Sequence, residues 1–211
     1  MLKVALIDYG ASNLHSVQKA LELAGFEVVL ANDPSLAEVM DVMVLPGQGH
    51  FGQVMQAFLA SGFEGVVRNH IAAKKPFLGI CVGLQLLMEG SEEALDVKGL
   101  GIIKGYTKRF PEGEDSVPQM GWNQLELLGE PALLKGIDNN AFAYFANSYY
   151  VDFADSLPGS TTNYAGVTFK SAISEGHLNA TQFHPEKSQN VGLKVLENFR
   201  TLSEHLLLTK L

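Results

Sequence analysis

The sequence predicts an α/β fold: a three-layer, open and mostly parallel sheet with flanking helices, and additional antiparallel strands in the second half. Two features predict it. The first half alternates short apolar runs with amphipathic stretches, the β-α-β rhythm of a parallel sheet. From Gly99 onward, Gly, Pro and Asn punctuate many short alternating runs, the pattern of mixed or antiparallel strands. At 211 residues the chain fits one domain spanning 1–211, with no internal repeat, linker or low-complexity tract.

In chain order, the apolar runs 3–8, 27–31, 42–45 and 76–81 read as strands, and the stretches 13–24 and 51–73 between them as helical. In the first of these, Leu14, Val17, Leu21 and Ala24 recur at helical spacing, Asn13 can cap the start, and Gly25 stands where a left-handed residue is wanted after the end. Residues 82–88 are helical again. The alternating runs 101–104, 142–145, 148–151 and 167–174 then read as strands. Residues 180–183 give one more strand, broken by His184-Pro185-Glu186. A final helix over 191–208 carries Leu193, Leu196, Phe199, Leu202 and Leu206 on one side.

Charge and cysteine usage narrow the function. A net charge of -8 argues against a nucleic-acid or anionic-membrane surface, which needs clustered Lys and Arg. One cysteine forms no internal disulfide, and no run approaches the ~18 apolar residues of a membrane span. With no basic n-region and apolar h-region at the start, a cytoplasmic protein is expected. No Cys/His cluster has zinc-ligand spacing, so neither a metal nor a cofactor is expected.

That single cysteine stands in Pro76-Phe-Leu-Gly-Ile-Cys-Val-Gly-Leu-Gln85, between an apolar run and a helical one. A Gly-x-Cys-x-Gly turn holds its central side chain outward on a strand-to-helix corner, near the free N–H groups of a helix start, which favour the reactive thiolate. A lone cysteine after a strand is more often a small core residue, but Gly79 and Gly83 permit a tight corner that a core residue does not need. By itself this corner is compatible with hydrolase, redox or acyl-transfer chemistry.

A nucleophile of this kind needs a base. In Thr181-Gln-Phe-His-Pro-Glu186, proline stops a strand just past His184, and Glu186 is placed to hydrogen-bond the ring nitrogen facing away from the sulfur. Cys81, His184 and Glu186 make a candidate triad. The other histidines read as structural or solvated, with His50 the runner-up because it lies in the glycine loop 46–51. Oxyanion donors, worth roughly 3–4 kcal/mol each, are available from the Val82 N–H and from that loop, which also has a plain reading as a βα turn. Trp122 and the group Tyr144, Phe145, Tyr149 and Tyr150 read chiefly as packing, alternatively as the lining of a site or a partner surface.

Gly79-Ile-Cys-Val-Gly-Leu-Gln85 and Gln182-Phe-His-Pro-Glu186 resemble the signatures of the class I, triad-type glutamine amidotransferases. Asp8-Tyr-Gly-Ala-Ser-Asn-Leu14, Pro46-Gly-Gln-Gly-His-Phe51, Gln119-Met-Gly-Trp-Asn123 and His184-Pro-Glu-Lys-Ser188 further resemble those that serve as glutaminase subunits of imidazole glycerol phosphate synthases. The likeness runs from end to end. It implies a Cys81 thioester formed from L-glutamine, with His184 as acid and base and Glu186 orienting it. It also implies an oxyanion hole from Val82 and the Gly47-Gln48 peptide, and glutamine held by Gly49, Gln85 and the backbone near Ser148 and Tyr149.

The resemblance implies a heterodimer with a (β/α)8-barrel cyclase subunit that receives the ammonia, with Asn13, Trp122 and Lys187 at the interface. The products expected of the pair are imidazole glycerol phosphate and aminoimidazole carboxamide ribotide, in histidine biosynthesis. The chain departs from the family's usual residues at Ala11-Ser12, at Gln119 and at Ala146-Asn147; none is a triad member. Alternatives are a glutaminase subunit for anthranilate or aminodeoxychorismate synthesis, which the Met120-Gly-Trp-Asn123 segment disfavours, and a non-catalytic activating subunit, which the intact triad disfavours.

Overall fold

A computed structural model describes residues 1–10, 14–152 and 157–209. Its main sheet is built from β1 (Leu2–Ile7), β2 (Phe26–Ala31), β3 (Met43–Gly47), β4 (Phe77–Cys81), β7 (Gln119–Leu128), β8 (Ala141–Asn147), β10 (Gly159–Tyr164), β11 (Val167–Glu175) and β12 (Leu178–Thr181). The strand order is β2-β1-β3-β4-β12-β11-β10-β7-β8. Every pairing from β2 to β12 is parallel and every pairing from β12 to β8 is antiparallel. A small sheet, β5 (Gly90–Ser91), β6 (Tyr106–Arg109) and β9 (Tyr149–Asp152), lies beside it.

The helices are α1 (Leu14–Leu23), α2 (Pro34–Glu38), α3 (Phe51–Ala60), α4 (Phe63–Ala72), α5 (Val82–Gln85) and α6 (Gln189–Leu208). The strand order reverses direction at β2, so right-handed crossovers put α1 on one face and α2, α3 and α4 on the other. The contacts agree: α1 packs with α6, and α4 with both α2 and α3. Helices on both faces explain why β3 and β4 are buried at every residue, which is why they read in the sequence as unbroken apolar runs. The core extends to where the small sheet meets the antiparallel strands, around Phe110, whose ring lies 4.9–5.3 Å from those of Tyr150, Tyr164 and Phe169.

The mostly parallel sheet with added antiparallel strands is as expected, with local corrections. The stretch 51–73 is two helices, not one, because Gly62 takes φ +79 and turns the chain between α3 and α4. Residues 101–104 form no strand; β6 starts at Tyr106 instead. The helix over 82–88 is regular only to Gln85. Gly25, at φ +92, closes α1 as expected, while the proposed Asn13 cap lies outside the described residues. Strands β7 and β10 and the short helix α2, capped by Asp33 on Ser35 N–H, were not anticipated. Among the described residues no helix is long and apolar enough to cross a membrane.

Candidate active site

Strands β3, β4 and β12 are parallel neighbours, so the segments leaving their carboxyl ends converge. Those segments are the loop 46–51, the Cys81 corner and the turn holding His184. The corner is as sharp as the sequence implies: Cys81 adopts φ 54 and ψ -109, a strained conformation for a residue with a side chain, and α5 begins at the next residue. The flanking glycines serve close approach. A Cβ on Gly83 would lie 2.0 Å from the Leu45 carbonyl oxygen, and one on Gly47 would lie 2.7 Å from the Gly83 nitrogen. Only bare backbone lets β3, β4 and the start of α5 pack this tightly.

His184 and Glu186 are paired by a 2.7 Å contact between Nδ1 and Oε1, and both side chains are buried. The opposite nitrogen, Nε2, is buried without a well-formed hydrogen bond. Burial works against a charged ring, but the neighbouring Cys81 and then Glu186 outweigh it and raise the His184 pKa from 6.5 to about 10. Both partners thus favour the protonated ring. The turn carrying it is fixed from three sides. His184 N–H donates to the Tyr144 carbonyl at 2.9 Å, and Ser188 Oγ both donates to the His184 carbonyl and accepts from Tyr144 N–H. Finally, α6 abuts the turn at Gly192, where a Cβ would sit 1.8 Å from the Pro185 oxygen.

A cavity of about 340 Å³ opens over the cysteine. Its lining includes Cys81 and Val82 together with Gln48, Gly49, Gln85, Ser148 and Tyr149, so the residues expected around a substrate are gathered there. Gly47 is not in the wall; it lies behind, packed on Val82 and Gly83. Ser148 and Tyr149 reach the cavity because the chain leaves the main sheet at the end of β8 and enters the small sheet as β9. His50 caps α3 by accepting from Gly52 N–H at 3.2 Å, so the runner-up histidine has a structural task.

Three residues of the site were not singled out in the sequence. Glu93 lines the cavity and accepts from Phe51 N–H at 2.6 Å, tying the start of α3, at the end of the loop 46–51, to the turn that follows β5. Gln182, fully buried, donates to the Cys81 sulfur at 3.7 Å. Tyr9 donates to the Pro46 carbonyl at 2.7 Å, bracing the same loop, and burial followed by the nearby Cys81 raises its pKa. The only sequence signal for Gln182 is its place beside His184, and none marks Glu93.

Two departures from the expected pattern, Gln119 and Asn147, prove to be direct partners across β7 and β8. Of the expected interface residues, Asn13 lies outside the described residues. Trp122 and Lys187 meet at Tyr144, the indole edge-on at 6.0 Å and the ammonium 5.9 Å above the ring. Trp122 is partly exposed packing, edge-on to Tyr144 and 46% exposed, with Met120 at 68% and Phe142 at 51% on the same hairpin.

The family model for Glutamine amidotransferase class-I matches residues 5–201. The Imidazole glycerol phosphate synthase subunit HisH of Deinococcus radiodurans is 51% identical over 200 residues, covering 94% of this chain and 93% of its own length. The subunit of the same name from Thermus thermophilus is also 51% identical, covering 97% of this chain and all of its own, and that of Aquifex aeolicus is 47% identical at similar coverage. A crystal structure described as a glutamine amidotransferase superposes with a TM-score of 0.74 at 16% identity over 95% of this chain and 98% of its own, a likeness of fold. The chain therefore belongs to the class I glutamine amidotransferase family and, within it, to the HisH subunits of imidazole glycerol phosphate synthase.

Proposed function

We propose that the chain, as one amidotransferase domain spanning 1–211, hydrolyses L-glutamine to L-glutamate and ammonia and passes the ammonia to a (β/α)8-barrel cyclase subunit in a heterodimer, for the synthesis of imidazole glycerol phosphate and aminoimidazole carboxamide ribotide in histidine biosynthesis. The observation that carries this reading is the strained Cys81 corner facing the buried His184–Glu186 pair across adjacent strand ends.

The chemistry follows from that arrangement. The Cys81 sulfur attacks the side-chain amide carbon of glutamine, and the carbonyl oxygen becomes an oxyanion received by the Val82 N–H and the Gly47-Gln48 peptide. His184, held protonated, gives its proton to the departing nitrogen, so ammonia leaves and a thioester remains. The neutral ring then takes a proton from water, which attacks the thioester carbon; collapse of the intermediate releases glutamate and restores the thiolate. Glu186 keeps the ring in one tautomer and orientation throughout. Gly49, Gln85, Ser148 and Tyr149 surround the rest of the substrate.

Ammonia released into water is protonated and loses its nucleophilicity, which is the physical reason for a docked acceptor. The exposed apolar hairpin face of Met120, Trp122 and Phe142, with Tyr144 and Lys187 beside it, supports docking next to the cavity, whose wall also includes Met120. The test is Cys81→Ala in the reconstituted complex: glutamine-dependent synthesis is expected to fall by roughly 10³-fold or more, with ammonia-dependent synthesis retained. Continued use of glutamine by the variant would remove Cys81 as the nucleophile.

A further inference from the structure

The hydrogen bonds behind the nucleophile run in one direction. The Tyr149 carbonyl can only accept, so Gln85 must turn its NH2 group toward it, at 3.1 Å. That same nitrogen reaches Gln182 Oε1 at 3.2 Å. With its oxygen so engaged, Gln182 has no choice of amide orientation, and its NH2 faces Cys81, with Nε2 to Sγ at 3.7 Å. Gln182 is fully buried, so no solvent competes for this donor, and its backbone N–H is anchored on the Ser171 carbonyl at 2.8 Å.

The geometry points to Gln182 as a positioning residue that holds an N–H donor against the Cys81 sulfur and links it to the glutamine-binding wall formed by Gln85 and Tyr149. A sulfur bearing a negative charge accepts such a donor far better than a thiol does, so the donor favours the attacking form. It also fixes the sulfur's direction along the strained corner. Because Gln85 and Tyr149 line the cavity, an occupant that contacts them acts on the same chain of bonds that ends at the sulfur. The inference rests on Cys81 being the nucleophile. The titratable groups coupled to the sulfur, His184 with Glu186 behind it and Tyr9 past β1, are left intact by a change at Gln182.

Two variants test it: Gln182→Met, similar in volume and lacking the donor, and Gln182→Glu, similar in shape with an oxygen where the NH2 stands. The readouts are the pH profile of Cys81 alkylation by iodoacetamide in the full chain, and kcat and KM for glutamine in the reconstituted complex. Gln182→Met is expected to move the alkylation midpoint up by about one pH unit and to lower kcat about tenfold with KM much less affected. Gln182→Glu is expected to move the midpoint further. A folded Gln182→Met with the wild-type profile and kcat would overturn the assignment. If that variant does not fold, the same readouts on Gln182→Glu decide, and failure of both to fold assigns Gln182 a structural part and overturns it equally. A wild-type chain not alkylated at Cys81, or a Cys81→Ala complex still using glutamine, would sink the nucleophile reading instead.

Discussion

In the parallel half of the main sheet, β3 and β4 are buried at every position, whereas the β7–β8 hairpin at the far edge alternates between buried and exposed residues. Parallel strands joined by helices spend both faces on packing, so their only openings are the strand ends, and there the cysteine corner, the glycine loop and the histidine turn come together. The antiparallel hairpin keeps one broad face free, and on it Met120, Trp122 and Phe142 remain uncovered. The proposed chemistry therefore lies where strands stop, and the proposed docking surface where a strand pair lies open. Tyr144 belongs to both, since its backbone holds the turn bearing His184 and its ring meets Trp122 and Lys187.

The contrast is most severely tested by Gly83→Ala. A methyl group 2.0 Å from the Leu45 oxygen cannot be accommodated without parting β3 from α5, and a loss of more than about 4 kcal/mol is expected. Thermal melting checks it, and a well-folded, active variant would show that the strand ends are not packed to contact.

Next in size is Glu186→Gln, expected to lower glutamine-dependent kcat by roughly 10²- to 10⁴-fold with ammonia-dependent synthesis spared. It also carries a pH signature. Against the opposing burial, the His184 pKa is raised from 6.5 to about 10 in the folded chain, by Cys81 first and Glu186 second, so the stability these partners lend is present below about pH 6.5 and lost as pH rises through 10, with Glu186 supplying only part of it. Thermal stability of the wild type should decline over that window and the variant's decline should be shallower; equal slopes would detach Glu186 from the ring.

The smallest effect falls on the other side of the comparison. Trp122→Ala leaves the triad untouched and is expected to weaken binding of the barrel cyclase by about 2 kcal/mol, or roughly 30-fold, measurable by calorimetric titration. Unchanged affinity would move the docking surface off the hairpin.

How far the sequence revealed this molecule follows the same division. Strands buried on both faces appear as unbroken apolar runs, so β1, β3 and β4 and the corner after β4 were legible, as were His184 and Glu186 beside a strand-breaking proline. Strand β7 was not, since half its residues face outward and Gly121 interrupts the alternation. Trp122 reads as core or partly exposed packing in the sequence, and only its place opposite Tyr144 on the outer face of the hairpin decides for the exposed one. Glu93 and Gln182 act through neighbours far along the chain, and local patterning carries no record of such distances. The split between α3 and α4 was missed because Ser61-Gly62 interrupts the helical period for only two residues.

One topological fact bears on how the protein comes into being. Strand β12 lies in the interior of the sheet, between β4 and β11, yet it is the last strand of the chain. The bond from Gln182 to Cys81 closes a loop of 101 residues. During synthesis the edge of β4 therefore waits unpaired on that side until nearly everything else has been made, and long-range pairings of this kind form slowly. A chain still growing carries Cys81 without His184 beside it, so the proposed triad is assembled only when the final strand slots into the middle of the sheet.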